Sequence, residues 1–133
     1  MSTETLSPQR VDISQLQEVS TGELPPWPAE IRNDTYKHSA YEVFAGEFSA
    51  YIYASDPGTL NIADYPFDEY VLVMSGTSVL TDSAGVSQTF KAGDSFMVPK
   101  GFTGTWELQG DYRELFIMES QSMAAGFEKL GFA

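Results

Sequence analysis

The sequence predicts an all-β fold, a barrel or sandwich of short strands. Three observations carry that expectation. Aromatic residues make up 14% of the chain, with nine Phe and seven Tyr, a balance that favours pleated structure. Short alternating or apolar runs recur, punctuated by Gly, Pro, Asp and Asn. No long helical periodicity in Ala, Leu, Glu and Lys interrupts them. At 133 residues the chain is the length of one domain and can bury a core without staples.

The elements follow in order. Residues 1–35 read as an N-terminal arm, and residues 36–133 as the barrel domain. Within the arm, Ser14 to Val19 could form a helical turn, stopped by Gly22 and the Pro25-Pro26-Trp27-Pro28 cluster. That stiff, partly apolar cluster is expected to lie against the barrel or a second subunit. Tyr41–Ala45 and Phe48–Ala54 alternate like strands, Asp56-Pro57-Gly58 turns, and Leu60–Ile62 resumes extension. Tyr70–Met74 is an apolar run long enough for a buried strand, and Gly76 is expected to turn the chain sharply into Thr77–Thr81. Asp82-Ser83-Ala84-Gly85 reads as a hairpin loop returning through Val86–Phe90. Phe96–Val98, Gly104–Leu108 and Glu114–Met118 complete the strands, and Ser122–Lys129 is expected to be a short helix ended by Gly131.

Composition narrows function. Without cysteine there are no disulfides, thiolate zinc sites or cysteine nucleophiles. Nineteen acidic against seven basic residues give a formal charge of −12, which repels phosphate backbones and anionic lipid. Nucleic-acid and membrane partners are therefore not expected. The first eight residues lack the charged start and apolar stretch of a signal peptide, and no apolar run approaches a membrane span of about 20 residues. A cytoplasmic location is the expectation.

Two runs carry the most specific signal. Asp68 to Gly76 contains a Glu, six residues and a Gly; Gly93 to Gly101 contains a Gly, five residues, a Pro, one residue and a Gly. With Tyr65-Pro66-Phe67-Asp68-Glu69, Pro99 to Glu107 and Tyr112 to Phe116, they resemble the cupins. The likeness is to the subgroup of the (S)-ureidoglycine aminohydrolase cupin domain, to which the ethanolamine-utilisation cupin is related. It extends weakly back to Tyr41. The resemblance implies a single cupin-type jelly-roll β-barrel with an N-terminal arm and a short C-terminal helix.

The resemblance also implies where a metal would bind. Metal-holding cupins carry a His pair shortly before the Glu and another His three residues past the second Gly. Those places fall on Ala63 and Tyr65, or Ile62 and Asp64, and on Gly104; only Glu69 matches a ligand. No metal site and no cofactor are expected, beyond a hard cation held weakly by Glu69 with Asp64 or Asp68. The ureidoglycine relative implies hydrolysis at a manganese centre, and the ethanolamine relative suggests acyl-phosphate chemistry, but no phosphate-cradling glycine loop is visible.

Glu69 is the leading candidate for chemistry. By period two it shares a face with Tyr65, Phe67, Val71 and Val73, where a carboxyl is costly unless bonded and its pKa rises. It is either an acid/base or ligand-orienting group, or a buried Glu satisfied by its neighbours. Tyr65 could present its hydroxyl to Glu69 or to a ligand. Trp106 packs or lines the mouth, Arg113 could clamp a carboxylate or make an ion pair, Lys100 is solvated, and His38 is a surface or capping residue. Two functions stay open: a small-molecule-binding cupin without a tightly held metal, and a hydrolase- or isomerase-type cupin enzyme using Glu69 and Tyr65. A homodimer is expected from sheet edges and the proline-rich arm.

Overall fold

The computed structural model describes residues 5–131; the first four residues of the arm and the last two residues lie outside it. Ten elements follow one another: α1 (Ile13–Leu16), β1 (Gly22–Glu23), β2 (His38–Ala45), β3 (Phe48–Ser55), β4 (Gly58–Ile62), β5 (Glu69–Asp82), β6 (Ser87–Lys91), β7 (Ser95–Val98), β8 (Gly104–Glu119) and α2 (Ser120–Leu130). All strand pairs are antiparallel.

The eight strands form one sheet in the order β1-β2-β3-β8-β5-β6, with β4 on β8 and β7 on β5. Strands β5 and β8 are its spine. The first half of β8 lies between β4 and β5, and its second half between β3 and β5. Likewise β5 gives its beginning to β7 and its end to β6. Two long strands thus serve both ends of the barrel.

This differs from the sharp turn expected at Gly76. The chain runs on as one strand through it, and β8 does the same through Gly110. Both glycines have positive φ, 74° and 71°, and the β5–β8 register shifts beside them. A Cβ at Gly76 would press on the Gln109 carbonyl and the Tyr112 backbone. The two glycines therefore let facing strands bend together as bulges rather than end.

The turns between strands have local causes. Asp82 accepts from the backbone N–H of Ala84 and Val86 across the hairpin, and Asp94 accepts from that of Lys91 beside Gly93 at φ 94°. Helix α2 starts on Glu119, whose side chain accepts from the N–H groups of Gln121 and Ser122, and stops at Gly131 in a left-handed conformation.

Two apolar clusters result. One fills the barrel and includes Phe67, Val71, Val73, Val98, Leu108 and Phe116. The other, with Leu16, Ile52, Met74 and Leu115, lies on the outer face of the sheet under α1 and the chain that follows it. The arm is held there by backbone acceptors: Arg113 donates to the carbonyls of Leu16 and Val19, and Gln17 to that of Met74. Strand β1, which sequence periodicity does not reveal, adds two residue pairs to β2. Buried Arg32 then pins the arm's end, pairing with Asp34 at 2.7 Å and stacking on the Tyr36 ring at 3.7 Å. No helix among the described residues is long and apolar enough to cross a membrane.

Candidate functional site

A cavity of about 370 Å³ opens inside one end of the barrel. Its wall comes from β2 to β5 and β8, and its rim from the proline-rich arm (Leu24, Pro25, Trp27) and from α2 (Met123, Phe127). Helix α2 can lie this close because Gly126 rests on Phe67 and Pro66, where a Cβ would collide. The volume is within the about 300–1,000 Å³ of small-molecule sites.

Most of the lining is aromatic or aliphatic, and two carboxyls project into it. Glu69 begins β5 and Glu114 lies on β8. They share the inward face, on either side of the Val71–Phe116 pair of the ladder. Both are 3% exposed. The Tyr65 hydroxyl donates to Oε1 of Glu69 at 2.7 Å, and the Tyr112 hydroxyl to Oε1 of Glu114 at 2.6 Å. Behind Tyr112 runs a directed chain: Trp106 Nε1–H donates to Ser78 Oγ at 2.9 Å, and Ser78 donates to Tyr112 at 2.7 Å. Neither Glu has a further hydrogen bond to the described residues, so each keeps its second oxygen for the cavity.

Burial dominates the electrostatics. It pushes the Glu69 carboxyl well above the usual carboxylate range, the nearby Glu114 adds to this, and the Tyr65 hydrogen bond partly offsets both. Burial pushes Glu114 up to about 7 against the pull of the Tyr112 hydroxyl. The hydroxyls of Tyr65, Tyr112 and Tyr53 are themselves raised by burial, so they remain donors at neutral pH. Glu114, raised to about 7, can give or take a proton near neutrality, and Glu69, raised by the same burial, shares its cavity; such a pair suits general acid/base work.

On the opposite wall, His38 is 3% exposed and not at the surface as its position in sequence suggests. It opens β2, whose first pair is with Ser55 at the far end of β3. Its Nε2 is 2.6 Å from the Pro25 carbonyl, which can only accept, so Nε2 carries the hydrogen. Burial, the leading cause, lowers its pKa and favours the neutral ring, leaving Nδ1 to accept the Tyr53 hydroxyl at 2.8 Å. Trp27 Nε1–H in turn donates to Tyr53 at 3.3 Å. The arm is thereby stitched to the cavity wall through the one histidine of the chain.

The structure brings Glu69, Tyr65 and Trp106 together at the cavity but sets Arg113 apart. Arg113 alternates with Tyr112 and Glu114, so it faces outward to the arm carbonyls. It borders a separate polar groove with Lys37, Asp56 and Asp111. Asp64 and Asp68 are exposed and do not line the cavity, and Lys100 is exposed. Sequence reading passes over Glu114 and takes His38 for a surface or capping residue, which its burial corrects. The alternation Tyr112, Glu114, Phe116, Met118 carries the signal for Glu114; His38 has none locally.

The ligand positions of metal-holding cupins do not fit a metal here. Tyr65 spends its hydroxyl on Glu69, Ala63 is exposed, and Gly104 lies so close to β5 that a Cβ would collide with the Thr81 carbonyl. Among the described residues no group of three or more His, Cys, Asp or Glu could hold a metal ion.

Comparison with solved structures finds this fold elsewhere. Ethanolamine utilization protein Q of Salmonella typhimurium LT2 matches with a TM-score of 0.58 at 14% identity, over 75% of this chain and 94% of that one. The Clostridium difficile EutQ protein matches at TM-score 0.55 and 16% identity, over 71% and 80% of the two chains. The polyketide cyclase RemF of Streptomyces resistomycificus matches at TM-score 0.57 and 15% identity, over 84% and 79%. No curated protein matches the chain in sequence. Residues 42–114, more than half of the chain and including Glu69, Glu114 and the bent spine of β5 and β8, match the EutQ-like cupin domain, and the chain belongs to that cupin family.

Proposed function

We propose that the protein binds a small molecule in the barrel cavity, with Glu69 and Glu114 as its polar anchors and no tightly bound metal. The observation that carries this reading is the pair of buried carboxyls, each with one oxygen fixed by a tyrosine and the other turned to an aromatic-lined cavity. One tyrosine bond satisfies each buried carboxyl in part and leaves its other oxygen available to a ligand in the cavity. Manganese-centred hydrolysis of the ureidoglycine kind drops out of this proposal, because the ligand positions are Ala63, Tyr65 and Gly104. A cytoplasmic homodimer goes with the reading. Exposed Tyr41, Phe44 and Phe48 on β2 and β3 supply apolar surface for a second copy.

A second reading is favoured by the shared cavity of two carboxyls raised by burial, Glu114 to about 7 and Glu69 well above the usual carboxylate range. Two such groups could act as acid and base in a proton-transfer or isomerisation step, with Tyr65 and Tyr112 holding their orientation.

A thermal-shift screen of soluble metabolites on the parent and on Glu69→Gln tests the binding reading. Gln keeps the shape and can accept from Tyr65, so the fold should lose less than about 1.5 kcal/mol. Compounds that stabilise the parent are expected to lose their effect in the variant. Compounds that stabilise both equally, or none that stabilise either, would overturn the assignment of the cavity.

A further inference from the structure

We propose that the ligand of this cavity is an organic cation, an ammonium group carried on an apolar or aromatic body. This rests on the binding reading above and names its chemical class. Three features of the molecule converge on it. Among the described residues the cavity lining presents two carboxyls and no Lys or Arg side chain, and burial favours the neutral form of its one imidazole, His38, so no fixed counter-charge faces the acids. Each carboxyl keeps an oxygen with no partner among the described residues, on a side chain 3% exposed. Around them stand Trp27, Tyr51, Tyr53, Trp106, Phe116 and Phe127.

Buried carboxylates without a counter-ion are costly, and a bound ammonium removes that cost while donating to the free oxygens. Aromatic faces attract the same charge through their quadrupoles, and more strongly once water is excluded. An anion would meet the opposite: two acids, no basic partner, and a protein of net charge −12. A bare metal ion fits poorly because a hard cation seeks six or more oxygens, and the wall offers mainly carbon. The site therefore distinguishes charge at its polar wall and shape at its apolar one.

The test uses one skeleton with three charges: 4-phenylbutylamine, 4-phenylbutan-1-ol and 4-phenylbutanoate, titrated by calorimetry at pH 8, where a primary amine is cationic. Mn²⁺ alone is the fourth probe. The amine is expected to bind at least about tenfold tighter than the alcohol, a difference of about 1.4 kcal/mol. The butanoate is expected to be weakest. Glu69→Gln and Glu114→Gln should each weaken the amine by more than they weaken the alcohol and so erode the preference for the amine, with near-UV circular dichroism confirming the fold. Alcohol or butanoate binding as tightly as the amine would overturn the cation inference and leave the cavity a binding site. Mn²⁺ binding more tightly than the amine would overturn its organic half. If no phenylbutyl compound bound, both this inference and the reading it rests on would fail. The parent comparison alone decides these outcomes should a variant not fold.

Discussion

Glu114 makes stability depend on pH in an unusual direction. Its carboxyl is pushed from the ordinary 4.5 to about 7 in the folded protein. Between those values the folded chain holds a proton that the unfolded chain has released, so raising the pH favours unfolding. A shift of that size is worth about 3 kcal/mol in full, of which about 2–3 kcal/mol falls between pH 5 and pH 8. Glu69, raised well above the usual carboxylate range by burial, acts in the same direction. His38 acts the other way: its lowered pKa means that the unfolded ring takes up a proton first, so its contribution is lost as pH falls below about 6.5. The measurement is the difference between the parent and Glu114→Gln: His38 remains in both, and removing Glu114 also removes its push on Glu69, which adds to the difference in the same direction. Urea unfolding at pH 5, 6, 7 and 8 should show the parent losing about 2–3 kcal/mol relative to the variant. With a urea slope of about 1–3 kcal/mol per M, the parent's midpoint falls about 1–3 M further than the variant's. A parallel pH dependence in the two proteins would refute the burial argument, and a parent that gains stability relative to the variant would reverse it.

Other expectations are independent of that one. Arg113→Ala should free the arm, because the guanidinium holds the Leu16 and Val19 carbonyls; a loss of about 1–3 kcal/mol and faster proteolysis before Gly22 are expected, and unchanged proteolysis would count against it. The purified protein should carry no stoichiometric transition metal, and elemental analysis finding about one Mn, Fe, Ni or Zn per chain after dialysis would contradict the misfit at Ala63, Tyr65 and Gly104. Light scattering at micromolar concentration should give the mass of a dimer, and a constant monomer mass across a wide concentration range would dispose of the homodimer.

Strands and turns were legible because their causes are local. Alternation placed β2, β3 and β4 to within a few residues, and Gly93-Asp94 and Asp82–Gly85 form the turns their side chains favour. The same parity brought out Glu69 with Val71 and Val73. It did not bring out Glu114, since Arg113 beside it gives the triplet the look of a solvated ion pair. What stayed hidden depends on distant partners. A glycine in an apolar run can end a strand or bend it, and only Gly110 across from Gly76 decides for bending. His38 is buried because β1, Pro25 and the end of β3 converge on it, and none of them is near in sequence except through the fold.

The close approach of Gly104 to Thr81 makes this barrel hard to convert into a metal-holding one. In a cupin that holds a metal, that place carries an imidazole; here any side chain at all would strike the backbone of the neighbouring strand. Restoring histidines at Ala63, Tyr65 and Gly104 by substitution alone should give a misfolded protein rather than a metalloprotein. The barrel cannot take a histidine there as it stands. It would first have to move the strands apart, losing the Thr81–Thr105 and Asp82–Gly104 pairs before any ligand could repay the change. The obstacle to a histidine at this position therefore lies in the backbone rather than in the choice of side chain.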